Sequence, residues 1–315
     1  MRYREADLTR VTTKPIGDRQ NKVDPRLLAS PPQDDRSFTA FLDSLPHVLA
    51  AEDLRRVIEA VARARQTRRG VILLIGGHVI KVGLGPLVRA WVKRGIVTHI
   101  ALNGAAAIHD FELAAYGGTS EDVESGLADG SFGMAEETGA EMNAAISSAA
   151  QAGQGLGEGL ARALSTRQHL PGGSASILLA AHQHDVPVTV HPAIGAEIIH
   201  QHPSADGAAV GATGQRDFRR LAGSIPDLDH GGVVLNWGSA VMMPEVFLKA
   251  LTVARNTGAG RPTHFVAADF DMQRHYRPRV NVVQRPTQAG GAGFLLTGHH
   301  ELLIPLLVWG VLEKL

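Results

Sequence analysis

The stretch Val71 to Glu112, VILLIGGHVIKVGLGPLVRAWVKRGIVTHIALNGAAAIHDFE, reads as a strand, a loop, a helix and a second strand, with polar residues at both strand exits. Val71 to Ile75 is short, continuous and apolar, the pattern of a strand covered on both faces, and Gly76 and Gly77 end it. Leu87, Val88 and Trp91 recur at helical spacing between Pro86, suited to a first helical turn, and Gly95, suited to a stop. Val97 to Leu102 follows as the next strand. Such crossovers are right-handed almost without exception, which sets Gly76 to Gly85 and Asn103 to Glu112 side by side along one edge of a sheet. Ligands of open α/β sheets sit beyond the carboxyl ends of the strands, so that edge is where function is expected.

The alternation continues on both sides of this unit. Ala51 to Arg65 predicts a helix with Leu54, Val57, Ile58 and Val61 on one face, and further strands are expected at Val186 to Val190, Gly232 to Asn236 and Thr263 to Ala267. Helices are expected at about Arg216 to Leu221, from Pro244 and Glu245 onward, and at Glu301 to Leu312, with an irregular Arg-, Pro- and Gly-rich segment before the last. Thr119 or Ser120 caps an Ala-rich helical region whose glycines at 153, 155, 157 and 159 suggest a mobile or kinked connection. The whole predicts an α/β fold, a mostly parallel sheet with helices on both faces. Residues 1 to 45, broken by Pro15, Pro25, Pro31 and Pro32, are expected to form an extended arm, either crossing to a partner subunit or loosely packed, and 46 to 315 a single domain.

Composition narrows the classes. The chain has 315 residues, 44% of them apolar, enough for a large core, and its 31 basic and 31 acidic residues show no excess that would advertise nucleic acid. Cysteine is absent, which excludes disulfides, thiolate metal sites and cysteine nucleophiles. No run of about 18 apolar residues is present, so no membrane span is expected and the chain reads as soluble and cytoplasmic.

Small or polar groups recur at the expected strand exits: Gly76, Gly77 and His78; Asn103 and Gly104; Gly238 and Ser239 in NWGS; Asp269 and Asp271 in DFD. Backbone amides at glycine-rich helix starts suit phosphates, and carboxylates at later exits suit ribose hydroxyls. The first turn is not G-x-G-x-x-G, so plain turn geometry explains the glycines as well. Lys81 could be a nucleophile or base in this crevice, or an exposed lysine; His109, beside Asp110, a proton carrier or a histidine bonded to a helix start. Asp206, in a glycine-rich loop, is the remaining catalytic candidate. Arg274, Arg277, Arg279 and Arg285 could clamp an anion or form a solvated basic strip. The 15 histidines invite a metal reading, but none forms the H-E-x-x-H pair and the H-x-H pairs lack a placed third ligand, so no metal is expected. GGSAS (172 to 176) lacks the last glycine of a nucleophile elbow.

The order of these segments resembles the deoxyhypusine synthase family over roughly residues 70 to 313. The matches are NGAAAIHDFE, in which Asp110 keeps a carboxylate and His109 stands where the family has glutamate; Ala205-Asp206-Gly207 against Thr-Asp-Gly; NWGSAVMM against the glycine-rich strand exit; Asp269-Phe270-Asp271 against Glu-Phe-Asp; and HHELLIPLLVWGVLE against the closing helix. The resemblance implies a Rossmann-like NAD-binding fold, a homotetramer and a small-molecule substrate. It also implies two losses. The imine-forming lysine of a Trp-Gly-Lys segment has no counterpart between Lys249 and Lys314, and the histidine expected against the nicotinamide falls on Met242 or Met243. Arg285 cannot replace the lysine, because its guanidinium stays protonated. The expectation is an NAD-binding enzyme with altered chemistry, a hydride transfer on a small amine or hydroxyl substrate; the alternative is a catalytically silent dinucleotide-binding or assembly protein.

Overall fold

The computed structural model describes residues 3–315. After single 3-10 turns at Leu8–Arg10, Ile16–Asp18 and Pro25–Leu27 come α1 (Phe38–Ser44) and α2 (Leu49–Gln66), then β1 (Val71–Ile75), α3 (Gly77–Lys81), α4 (Gly85–Lys93), β2 (His99–Asn103) and α5 (Gly104–Tyr116). Four helices, α6 (Val123–Asp129), α7 (Glu136–Gln151), α8 (Leu156–Ser165) and α9 (Ile177–Gln183), precede β3 (Val188–His191). The second half runs α10 (Gly207–Ser224), β4 (Val233–Trp237), α11 (Met242–Asn256), β5 (Val266–Asp271), a π-helical segment (Pro278–Gln284), α12 (Arg285–Thr287), β6 (Ala292–Thr297) and α13 (His300–Glu313).

All six strands are parallel, in the order β3-β2-β1-β4-β5-β6. This is the doubly wound order, in which strand sequence reverses between β1 and β4 and ligands gather above that point. Every residue of β1 and β4 is buried, because helices cover both faces. On one face the sheet packs under α2, α4, α5, α9 and α13, where Trp91 and Trp237 meet with ring centroids 5.6 Å apart; on the other Ile72, Leu74, Val234 and Ala267 meet α10 and α11 through Leu221, Met243 and Phe247.

Four expectations are corrected. The DFD carboxylates do not follow β5 but lie within it, because the main chain of β5 stays paired through Asp269 with Asn236 of β4 and Leu295 of β6, and through Asp271 with Thr297 of β6; Asn236 also donates to the Asp269 carboxylate at 2.7 Å. The Arg-, Pro- and Gly-rich segment expected to be irregular contains β6. Helix α10 begins at Gly207, well before the expected Arg216, since Asp206 caps it by accepting from the amides of Ala208 and Ala209. The glycines near 155 serve close packing: a methyl group on Gly157 would lie 2.4 Å from the Val188 carbonyl oxygen, and one on Gly159 2.5 Å from Ala149 Cβ.

Two buried polar devices secure the β3 edge. Asp217 of α10 accepts at one oxygen from the amides of Gly157 and Val190, both at 2.8 Å, tying α8 to the outer strand. Burial pushes its carboxyl up to about 7, against the pull of those two donors and Arg220. His99 bridges Ser224 (2.8 Å) and Thr189 (3.0 Å), and Thr189 reaches His191 (3.0 Å); burial drives both imidazoles down to about 3, so both are neutral. Among the described residues, no helix is long and apolar enough to cross a membrane.

Candidate functional site

The sheet is sealed at the reversal point. The Gly76 amide donates to the Trp237 carbonyl (2.9 Å) and the Gly238 amide to that of Phe270 (3.1 Å), so pairing continues past the strands. A methyl group on Gly76 would lie 2.0 Å from the Gly238 carbonyl oxygen. Any ligand space therefore begins above this main-chain contact. His300, at the start of α13, stands directly over Gly238, whose added methyl would lie 3.0 Å from the imidazole. Its Nε2 donates to the Phe270 carbonyl at 3.0 Å, which makes Nδ1 the lone-pair nitrogen, and Nδ1 is buried without a partner. His78 approaches edge-on at 5.2 Å between ring centroids. Burial lowers the His300 pKa, and the bond to the Phe270 carbonyl and then the Asp271 charge partly offset this.

A second cluster lies over the exits of β1 and β2. His109 of α5 packs against Gly77, where a methyl would meet its Cδ2 at 3.1 Å. Its Nδ1 lies 2.8 Å from Thr119 Oγ1, and that hydroxyl gives its single proton to Glu112 at 2.5 Å. Thr119 can then only accept from His109, so Nδ1 carries the proton and Nε2 the lone pair. Burial, with the nearby Lys81 charge, lowers the His109 pKa and keeps the ring neutral at pH 7. Thr138 donates to the other Glu112 oxygen at 2.9 Å. A surface cleft of about 340 Å³ opens onto Glu112, Thr119 and Thr138. The arrangement is an oriented neutral base with a hydroxyl–carboxylate path to solvent.

Of the residues expected at the site, the structure brings together Gly76, Gly77, His78, Lys81 and His109 on one side and Gly238 and Asp271 on the other. Lys81 is exposed. Asp206 is spent on capping α10 and bonds to neither Lys81 nor His109, while Gly207 beside it meets open space. Several others serve the fold. Asp110 accepts from Ser176 Oγ (2.7 Å) and the amides of Ile177 (2.7 Å) and Leu178 (3.0 Å), capping α9 from the interior. Asn103 caps α5 through the Ala106 amide, and Ser239 starts α11 by accepting from Met243. Asp269 is buried on Asn236, with its carboxyl raised to about 7 by burial. Gly104 is covered: a methyl there would lie 2.1 Å from Glu197 Oε1. Met243 is core. Among the described residues, no group of three His, Asp or Glu side chains is placed to hold a metal ion.

Sequence reading gives Thr119 only as a helix cap and His300 only among the histidines weighed for a metal; Thr119 and Glu112 as partners of His109, and Glu197 over Gly104, it does not show. The i, i+3 spacing of His109 and Glu112 was the one available signal. The rest depend on loops meeting across the sheet edge.

No family model matches the chain, and no curated protein matches it. Solved structures do. A conserved LOR/SDH protein of Methanococcus maripaludis S2 aligns at TM-score 0.51 and 15% identity over 84% of this chain and 70% of its own. An Entamoeba histolytica protein assigned as a deoxyhypusine synthase aligns at TM-score 0.51 and 11% identity over 88% and 93%. The relation is one of fold. A cysteine-to-alanine mutant of AgrE in complex with L-arginine aligns at TM-score 0.50 and 14% identity over 84% of this chain, which spans about a third (32%) of AgrE. The α/β fold expected from the sequence is thus shared with a protein assigned as a deoxyhypusine synthase and with proteins of other names.

Proposed function

We propose that the chain is an NAD-binding enzyme that acts on a small amine- or hydroxyl-bearing substrate, with His109 as its base. The observation that carries this reading is the chain His109–Thr119–Glu112, which fixes the lone pair on Nε2 beside the β1 exit in a ring kept neutral at pH 7. The doubly wound order and the buried orphan Nδ1 of His300 above the reversal point support a dinucleotide there. NAD supplies a hydride acceptor. His109 Nε2 takes the N–H or O–H proton of the substrate, while Nδ1 and Thr119 hold the ring in register and Glu112 balances the imidazolium that forms. Lys81, exposed beside His109, attracts an anionic group of the ligand.

The same reading includes a homo-oligomer, a tetramer by resemblance. Helix α13 is apolar all round, yet Leu302 and Trp309 are 62% and 53% exposed, and the arm carries exposed Leu8, Val11, Ile16 and Val23. The test is calorimetric titration with NAD and NADP, followed by reduced-cofactor absorbance with polyamines and small hydroxy compounds. Binding with turnover that His109→Asn abolishes, while binding persists, is expected. Failure of both cofactors to bind refutes the reading.

A further inference from the structure

At the β2 and β3 exits a second polar pair is shut beneath the loop that follows β3. Glu197 is 7% exposed, and its side chain lies flat on the first residue of α5: a methyl on Gly104 would fall 2.1 Å from Oε1 and 2.4 Å from Cγ. Both carboxylate oxygens take the Ala193 amide at 3.0 Å. His200 Nδ1 lies 3.2 Å from the carboxylate and accepts weakly from the Gly195 amide at 3.3 Å, and the side chain is 8% exposed. His200 Nε2 is buried with no partner at all. A buried imidazole nitrogen left unbonded costs free energy that a ligand hydroxyl would recover.

Position gives this pair its meaning. In the doubly wound order a dinucleotide spreads from the reversal point across β1 toward β2, and a carboxylate at the β2 exit receives the hydroxyls of the adenosine ribose. Here β2 ends in Asn103, followed by Gly104, so its own exit supplies no acid, and the carboxylate lying on Gly104 is that of Glu197, brought back from beyond β3. Above it the loop tip Ile194–Ala196 is exposed, with Gly195 at φ +87°, and nothing else packs on Gly195. Lifting that tip uncovers the pair without disturbing a strand.

We infer, resting on the dinucleotide reading above, that Glu197 and His200 form the ribose subsite and select NAD over its 2′-phosphorylated counterpart. The carboxylate accepts the 2′- and 3′-hydroxyls, His200 Nε2 bonds the second of them, and a 2′-phosphate would be driven onto a buried carboxylate to which, among the described residues, no arginine or lysine is bonded.

The test compares NAD and NADP affinities of the full chain, wild type and Glu197→Gln, by calorimetry, with melting curves to verify folding. Wild type is expected to prefer NAD by about tenfold or more, the worth of one hydrogen bond to a charged group, and Glu197→Gln to bring the two affinities to within about threefold. If Glu197→Gln does not fold, Glu197→Asp, which keeps the charge but withdraws it, is expected to weaken NAD while still excluding NADP. NAD binding with an unchanged NAD:NADP ratio in the variant overturns this inference alone and leaves Glu197 as a loop staple. Equal or tighter NADP binding by wild type overturns it as well, and failure of wild type to bind either cofactor overturns both it and the dinucleotide reading.

Discussion

Replacing Asp217 by asparagine tests the electrostatics of the interior directly. Asp217 holds α8 and the outer strand through two amide donors, but its carboxyl is raised from 3.8 to about 7 by burial. The sign follows from linkage: between pH 3.8 and 7 the folded chain keeps a proton that the unfolded chain has lost, so Asp217 makes the fold weaker as pH rises through that window. From pH 5 to 8 the loss extends over two pH units at about 1.4 kcal/mol each, or about 3 kcal/mol. Asparagine carries no charge, and its oxygen still accepts from Gly157 and Val190. Urea unfolding of wild type and Asp217→Asn, followed by circular dichroism at pH 5 and pH 8, should therefore show the variant gaining about 3 kcal/mol relative to wild type at the higher pH. An equal difference at both pH values would mean that the two amides and Arg220 hold Asp217 ionised throughout, and would refute the argument.

Other consequences are as direct. Gly76→Ala drives a methyl to 2.0 Å from the Gly238 carbonyl oxygen, and we expect a loss of about 3 kcal/mol, measured by thermal melting; a wild-type melting temperature would disprove the sealed contact. Thr119→Val removes the acceptor of His109 Nδ1–H and should slow turnover about ten- to a hundredfold with cofactor affinity unchanged; an unaltered rate would disprove the relay. Burial lowers His191 from 6.5 to about 3, so the unfolded chain takes up this proton first and the fold loses stability as pH falls below 6.5. His191→Gln should lose stability less steeply than wild type from pH 6 to 4, and parallel unfolding curves would remove His191 from the account.

How much could be read in advance depended on whether a signal was local. Val71–Ile75 appears in the structure as read, since five consecutive apolar residues before two glycines leave few alternatives. The parallel sheet followed from strands spaced by helices. Residues 292 to 297 did not read as a strand because two of its neighbours and one of its members are glycine, and it is held by pairing with β5 rather than by its own composition. Gly207, Gly211 and Gly214 mask helix α10 in the sequence, and Asp206, expected as a catalytic carboxylate, is what starts it. At the site, His109 was visible beside Asp110, but the two point opposite ways: one over Gly77, the other into the α9 cap. Glu197, 93 positions beyond Gly104, had no local mark, because its environment is made entirely by tertiary contact.

The main-chain contact between Gly76 and Gly238 makes the top of the sheet a floor. A molecule bound there would rest across it instead of wedging between β1 and β4, beneath the start of α13, where His300 stands over Gly238. Hydrogen exchange is expected to divide the molecule accordingly, with the amides of Gly76 and Gly238 slow in either state and that of Ala193, held by Glu197 in the free chain, changing its rate when ligand is added.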